Sequence, residues 1–397
     1  MGIQRILLAM AIVLVGGGGV VTGVSVEDTA EVDGPGAVAV SRPPKVTLSF
    51  QPAVGTAPVN PTAPISVSAR DGELREVGLS TASGRPVKGE LSADRRAWTA
   101  REGLAYGTRY RWRGTAVDLA GKTLPVSGEF STLAPATVVR ATLNLRDGRT
   151  VGVAAPIQLQ FSGRVTDRAA AEKALSVRTS VPTEGSWGWL PDESGGSRVH
   201  WRPAEYWRPG TEVTVTAQLF GVDYGKGAFG AASLSTTFTI GRNQVTKADV
   251  TSHELVVLRD GAEVARYPAS YGLDSDPDRN TRSGVHVITE KFTDKRMVSE
   301  RYDYDLVEKW AVRMSNNGEF IHANPATTGV QGSANVSHGC VNLSSTDAKQ
   351  YYDMAMYGDP VEVTGSKVAL SARDGDIWIW TVPWSAWRTY SALDELN

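Results

Sequence analysis

The feature that most limits the folds open to this chain is an internal repeat. Trp98 stands nine positions before Gly107-Thr108, and Trp201 stands nine positions before Gly210-Thr211. Each Gly-Thr opens an alternating run, with Tyr110 and Trp112 in one and Val213 and Val215 in the other. An Asp (Asp118, Asp223) and a glycine-containing turn follow each run. Each unit then closes on a Thr/Phe stretch, Phe130-Ser131-Thr132 and Thr237-Phe238-Thr239. Across 46–241 the remaining apolar runs (VTLSF, ISVSA, IQLQF) are short, alternate with period two, and are separated by Gly, Pro, Asp and Ser. That pattern makes strands and turns. Helical spacing is confined to 167–175. Two tandem β-sandwiches of about 100 residues each account for the repeat, over 46–137 and 138–242. Their tryptophans are expected in the cores. Exposed platforms for a ligand are the competing use of the same residues.

The chain opens with Arg5 and an apolar stretch from residue 6 to about 26, broken by Gly16 to Gly19. This reads as an export signal over 1–26, or as an uncleaved membrane anchor, since about 20 apolar residues can span a bilayer. A polar Pro/Gly linker follows at 27–45. The 41 Lys+Arg and 43 Asp+Glu nearly cancel. A nucleic-acid partner, which calls for a basic face, is not expected.

Residues 243–367 form a third region with a different rhythm. HELVVLRDG and AEVARYPASYG read as strands joined by a turn at Asp260-Gly261. Another strand is expected over 284–289, and VEVTG at 361–365 reads as a closing strand. Helical spacing over 345–356, capped by Ser344 or Ser345, predicts a short helix. The charged stretch 290–317 is expected as a long lid loop. A Trp-rich tail over 368–397, too apolar to be free, is expected to pack on the body.

Cys340 is the only cysteine of the chain, so no internal disulfide can form. It lies in Ser337-His338-Gly339-Cys340-Val341-Asn342, and His322 precedes it by 18 positions. A nucleophilic thiol needs a base, because the thiolate is the reactive form. A histidine close in space can take that proton and return it to a leaving amine. Glycine beside a nucleophile lets the backbone approach a carbonyl and offer an N–H to an oxyanion, which makes Gly339 and Cys340 candidate donors. The residues alone leave other readings open. Cys340 can be a buried structural cysteine. His322, His338 and Cys340 can bind zinc, although no CxxC or HExxH occurs. His338 can simply bond its own loop.

His322, a gap of 14 residues, and then Ser337-His338-Gly339-Cys340 with Asn342 resembles the catalytic signature of the L,D-transpeptidases, the YkuD-like domain. Thr281 and Gly284 sit where that family has Thr-Pro-x-Gly, with Arg282 replacing the proline. Gly358-Asp359-Pro360-Val361 is similar to its closing Gly-Asp-x-Val. Gly185-Ser186-Trp187-Gly188-Trp189 and Trp201-Arg202-Pro203 resemble the second immunoglobulin-like domain of the actinobacterial type. The resemblance therefore implies a mainly β chain: two immunoglobulin-like sandwiches, then a YkuD-like catalytic domain with a short helix, and a Trp-rich C-terminal extension.

By that resemblance Cys340 is the nucleophile and His322 the base and then acid, oriented by the backbone carbonyl of Ala323. Gly339, Ser337 and His338 form and orient the oxyanion loop, and Tyr304 and Asn342 contact substrate. The implied partners are peptidoglycan tetrapeptide stems, as donor and as acceptor. D-Ala would leave and a 3→3 cross-link would form, outside the cytoplasm, in the cell envelope. Carbapenem β-lactams are implied as covalent inhibitors. No metal or organic cofactor is implied. Hydrolysis of the same bond, as an L,D-carboxypeptidase, is the close alternative, and a wall-binding scaffold with an inert catalytic domain is the distant one. One departure stands out: close relatives place Trp where this chain has Ala326.

Overall fold

The computed structural model describes residues 45–371 and 376–393. The apolar segment expected at 1–26, and the linker up to residue 44, lie outside the described residues. Among the described residues no helix is long and apolar enough to cross a membrane.

The first unit of the repeat holds two sheets. One runs Thr47–Gln51, Ser66–Arg70, Ala97–Ala100, Gly89–Leu91; the other joins Gly72–Thr81 to Arg109–Asp118, which also carries Thr123–Pro125 and Gly128–Ser131. Alternate residues of both sheets (Val67, Leu74, Leu79, Trp98, Tyr110, Trp112, Phe130) close one core, as a two-sheet sandwich requires. Trp98 and Trp112 meet edge to face, ring centroids 5.3 Å apart.

The next pair of sheets orders Ala141–Leu143, Ile157–Phe161, Gly196–Pro203, Gly185–Glu193 and Arg149–Val151, Leu234–Ile240, Glu212–Ala217, Leu175–Thr179. Asp167 caps the short helix Arg168–Lys173, accepting from the Ala170 N–H at 2.9 Å. The repeat is structural as well as textual. A Cβ on Gly89 would come within 1.9 Å of the Trp98 indole, and one on Gly185 within 1.9 Å of the Trp201 indole. In both units a glycine on the neighbouring strand makes room for the repeat tryptophan. Trp98 and Trp201 are buried, so these indoles fill cores and offer no open face to a ligand.

The third region pairs a five-stranded and a four-stranded sheet. The first is ordered Ala262–Pro268, Glu254–Arg259, Gln244–Asp249, Pro360–Thr364, Gly284–Val287. The second is ordered Glu290–Ser299, Tyr304–Arg313, Phe320–Ala323, Val341–Leu343. Asp260 and Gly261 both take positive φ, 51° and 82°, as a two-residue hairpin turn needs. The helix Ser345–Met354 starts where the Ser344 hydroxyl accepts from the Asp347 N–H at 3.1 Å, and it buries Ala348 and Tyr351 against both sheets.

The charged stretch expected as a lid loop is instead a β-hairpin, paired from Glu290↔Arg313 to Ser299↔Tyr304. Its outer half lies clear of the core, with Val298, Leu306 and Val307 exposed. No buried face imposes a period-two apolar pattern there, so its strands read as polar loop.

The tail returns to the body. Trp387 is fully buried, and its indole N–H donates to the Ser186 carbonyl at 3.0 Å. Trp380 donates to the Ala154 carbonyl at 2.9 Å. The Arg202 guanidinium lies 4.8, 5.4 and 5.3 Å from the ring centroids of Trp380, Trp384 and Trp387, and donates to the Val382 carbonyl at 2.7 Å.

Candidate active site

Two parallel strands set the site. Phe320–Ala323 pairs with Val341–Leu343 so that His322 lies beside Asn342, two residues past Cys340. Cys340 therefore stands at the entry of one strand while His322 sits on its neighbour. Cys340 is partly exposed, and its thiol faces the Gly318 carbonyl at 3.6 Å. It opens into a cleft of ≈ 290 Å³ shared with His322, Tyr302, Tyr304, Glu308 and Asn342. This is not the surrounding of a buried structural cysteine. On its other side Cys340 borders a second, more basic cleft reached by Arg282, Lys295, Arg296 and Arg313.

His322 is buried, and its Nδ1 lies 2.9 Å from the Ala323 carbonyl oxygen. A carbonyl only accepts, so Nδ1 carries a proton and Nε2 is left for the thiol. The Glu308 carboxylate stands 3.6 Å from the same Nδ1. Burial works against the charged imidazole, but the Cys340 side chain, the Glu308 carboxylate and the Ala323 carbonyl outweigh it. His322 is thereby pushed up to about 10.

The loop before Cys340 is held from within. The Ser337 hydroxyl donates to the Cys340 carbonyl at 2.6 Å and accepts from the Gly339 N–H at 3.2 Å. Thr281 accepts from the Gly272 N–H and donates to the Gly339 carbonyl, both at 2.9 Å. The expectation that Gly339 offers its N–H to an oxyanion meets this bond: that N–H is turned into the loop. What the position needs from glycine is conformation, since φ is +115°. Among the described residues the Cys340 N–H donates no hydrogen bond.

His338, expected to help orient the oxyanion loop, turns its ring to two tyrosines. It is exposed and rests against Tyr302 and Tyr304, ring centroids 4.5 and 5.4 Å away. Burial and then the Arg279 guanidinium hold its imidazole below the ordinary value. Tyr304 lines the cleft, its phenol pushed up by burial and by the Cys340 charge. The Asn342 side-chain oxygen is buried without a hydrogen bond. Ala326 is exposed in the short turn Pro325–Thr327 and builds no wall. Arg282, where the resemblance has proline, pairs with buried Glu319 at 3.2 Å. Among the described residues no three His, Cys, Asp or Glu side chains converge as a metal site would.

Glu308 is the residue that sequence reasoning missed. Tyr304, Leu306 and Glu308 alternate along one strand and all line the cleft. That period would have shown it, had the segment been read as a strand.

Comparison with known proteins points to one family. The profile of a bacterial Ig domain matches residues 56–223, and that of the L,D-transpeptidase catalytic domain matches residues 243–363. L,D-transpeptidase 5 of Mycobacterium tuberculosis is 51% identical over 353 residues, 88% of this chain and 78% of that protein. L,D-transpeptidase 2 of the same species is 36% identical over 357 residues, 88% of this chain and 85% of that protein. A solved L,D-transpeptidase, LdtMt1 in complex with imipenem, is 32% identical with a TM-score of 0.49, over 58% of this chain and 100% of that one. On these sequence matches, this chain belongs to the L,D-transpeptidase family.

Proposed function

We propose that the chain cross-links peptidoglycan through a thioester on Cys340. The supporting observation is the pairing of a cleft-facing thiol with a buried histidine whose Nδ1 is fixed by a carbonyl. Nε2 takes the thiol proton. The sulfur attacks the carbonyl that follows the third residue of a tetrapeptide stem, and the Cys340 N–H receives the oxyanion. His322 returns the proton to the departing D-Ala amine. The side-chain amine of a second stem then attacks the thioester, giving a 3→3 link and freeing Cys340. A strained β-lactam carbonyl suits the same thiolate, so carbapenems acylate Cys340 in this reading.

The domain division follows the same proposal: 46–137 and 138–242 as sandwiches, 243–367 as the catalytic domain, 368–397 as the extension. The sandwiches act as a spacer between an N-terminal anchor or signal and the wall.

The test is mass spectrometry of residues 40–397 with a disaccharide-tetrapeptide, beside Cys340→Ala. A dimer that has lost one D-Ala, absent with the variant, is expected. A tripeptide monomer alone would make the chain a carboxypeptidase. Unchanged substrate in both samples would leave an inert scaffold.

A further inference from the structure

We infer that Glu308 is a positioning residue whose negative charge sustains a thiolate–imidazolium pair between Cys340 and His322. The inference rests on the reading of Cys340 as the nucleophile.

Glu308 Oε2 lies 3.6 Å from His322 Nδ1, with side chains 15% and 5% exposed. At that separation the Nδ1–H bond belongs to the Ala323 carbonyl, 2.9 Å away. Glu308 therefore acts through charge more than through a hydrogen bond of its own. Away from bulk water such a charge is felt strongly. Among the described residues Glu308 has no Lys or Arg partner. Its cross-strand neighbour Lys295 turns its ammonium onto the Phe292 ring, 4.6 Å from the centroid. A half-buried carboxylate without a cation is costly. An imidazolium at Nδ1 supplies that cation.

The other titratable groups facing this cleft are Tyr302, Tyr304, His338 and Cys340, so Glu308 is the one carboxylate among them. The proton inventory closes around it. The Cys340 S–H bond breaks and an Nε2–H bond forms, leaving thiolate and imidazolium. When the C–S bond forms, the scissile C–N bond breaks and the amine nitrogen takes the Nε2 proton. Nδ1 keeps its proton and Glu308 its charge throughout. The carboxylate thus favours the charged pair over the neutral one at every stage before transfer.

For two coupled groups the charged pair exists between two apparent pKa values, one limb where the thiolate forms and one where the imidazolium is lost. Removing the anion draws both limbs inward. The experiment is the pH dependence of Cys340 alkylation by iodoacetamide, from pH 4 to 11, in residues 40–397 with and without Glu308→Gln. The expected result is an acid limb raised by about one unit, an alkaline limb lowered, and alkylation about tenfold slower on the acid side of the profile. Glu308→Asp, which keeps the charge one methylene shorter, is expected to recover part of the loss.

Superimposed profiles for wild type and Glu308→Gln overturn the inference, as does equal impairment by the Asp variant. If Glu308→Gln does not fold, Glu308→Asp carries the test alone. Its limbs then move inward relative to wild type, or the inference fails. Alkylation needs no peptidoglycan. A shifted profile in a chain that makes no cross-link would fault the proposed function and keep Glu308. An unshifted profile in a cross-linking chain would do the reverse.

Discussion

The second sandwich meets a neighbour at each end, and the two junctions are built differently. Towards the first sandwich the contact is centred on Tyr106, whose ring lies 4.9 Å from Phe220 and 6.3 Å from Phe229. Its hydroxyl donates to the Gly230 carbonyl at 2.8 Å and accepts from the Gly221 N–H at 2.9 Å. Asn60 adds a bond to the Gly221 carbonyl at 2.9 Å. Towards the catalytic sheets, backbone N–H groups of Gly152 and Ala154 donate to the Tyr357 and Gly358 carbonyls at 2.7 and 2.8 Å. Gly358 takes a φ of +88°, and a Cβ there would meet Ala155 at 2.6 Å. Beside it, fully buried Asp359 pairs with Arg242 at 2.8 Å. The Trp-rich tail then closes over both partners. The first junction is a small aromatic contact; the second is close to a continuation of the core. The second sandwich is therefore tied more closely to the catalytic sheets than to the first sandwich.

That comparison breaks most visibly at the tail. Trp387→Ala removes a fully buried indole, with an expected cost of about 3–5 kcal/mol. Chemical denaturation should show the second sandwich and the catalytic region losing stability together. If only one transition moves, they are not one body.

Next in size is a pH effect confined to the second junction. Burial, opposed by Arg242 and the Met356 N–H, pushes Asp359 up to about 6. An ordinary carboxylate titrates near 4, so the folded state holds this proton more tightly. The associated stability is full below about pH 4 and is lost as pH rises through about 6, on the order of 3 kcal/mol in all. Melting curves from pH 4 to 7 should show this slope, and Asp359→Asn should flatten it. A slope that survives the substitution assigns it to other groups.

The smallest effect sharpens the contrast. Tyr106→Phe leaves the Gly221 N–H without its acceptor, costing about 1 kcal/mol. Hydrogen exchange should quicken at Gly221 and Gly230 while the amides of 320–343 stay protected. Spread of the change to the catalytic strands would erase the distinction.

How much of this was legible beforehand differs by region for physical reasons. The repeat tryptophans announced the sandwiches because a large indole needs a fixed partner, and Gly89 and Gly185 supply it identically. Cys340 and His322 stood out as rare residue types at a recognisable interval. The hairpin 290–313 did not, because strands without a buried face carry no apolar rhythm, and Glu308 was hidden with it. The direction of the Gly339 N–H was equally out of reach. It depends on a hydroxyl two residues away, which spacing alone does not orient.

The indole clamp on Arg202 has a mechanical corollary. If the chain is anchored at its N-terminal end and engages a taut polymer at Cys340, tension runs through both junctions in series. The aromatic contact at Tyr106 yields first, while Trp380, held under the Arg202 guanidinium, keeps its bond to the Ala154 carbonyl. Strain from the polymer would then be absorbed as a swing between the sandwiches, upstream of the strands that set the distance between sulfur and imidazole.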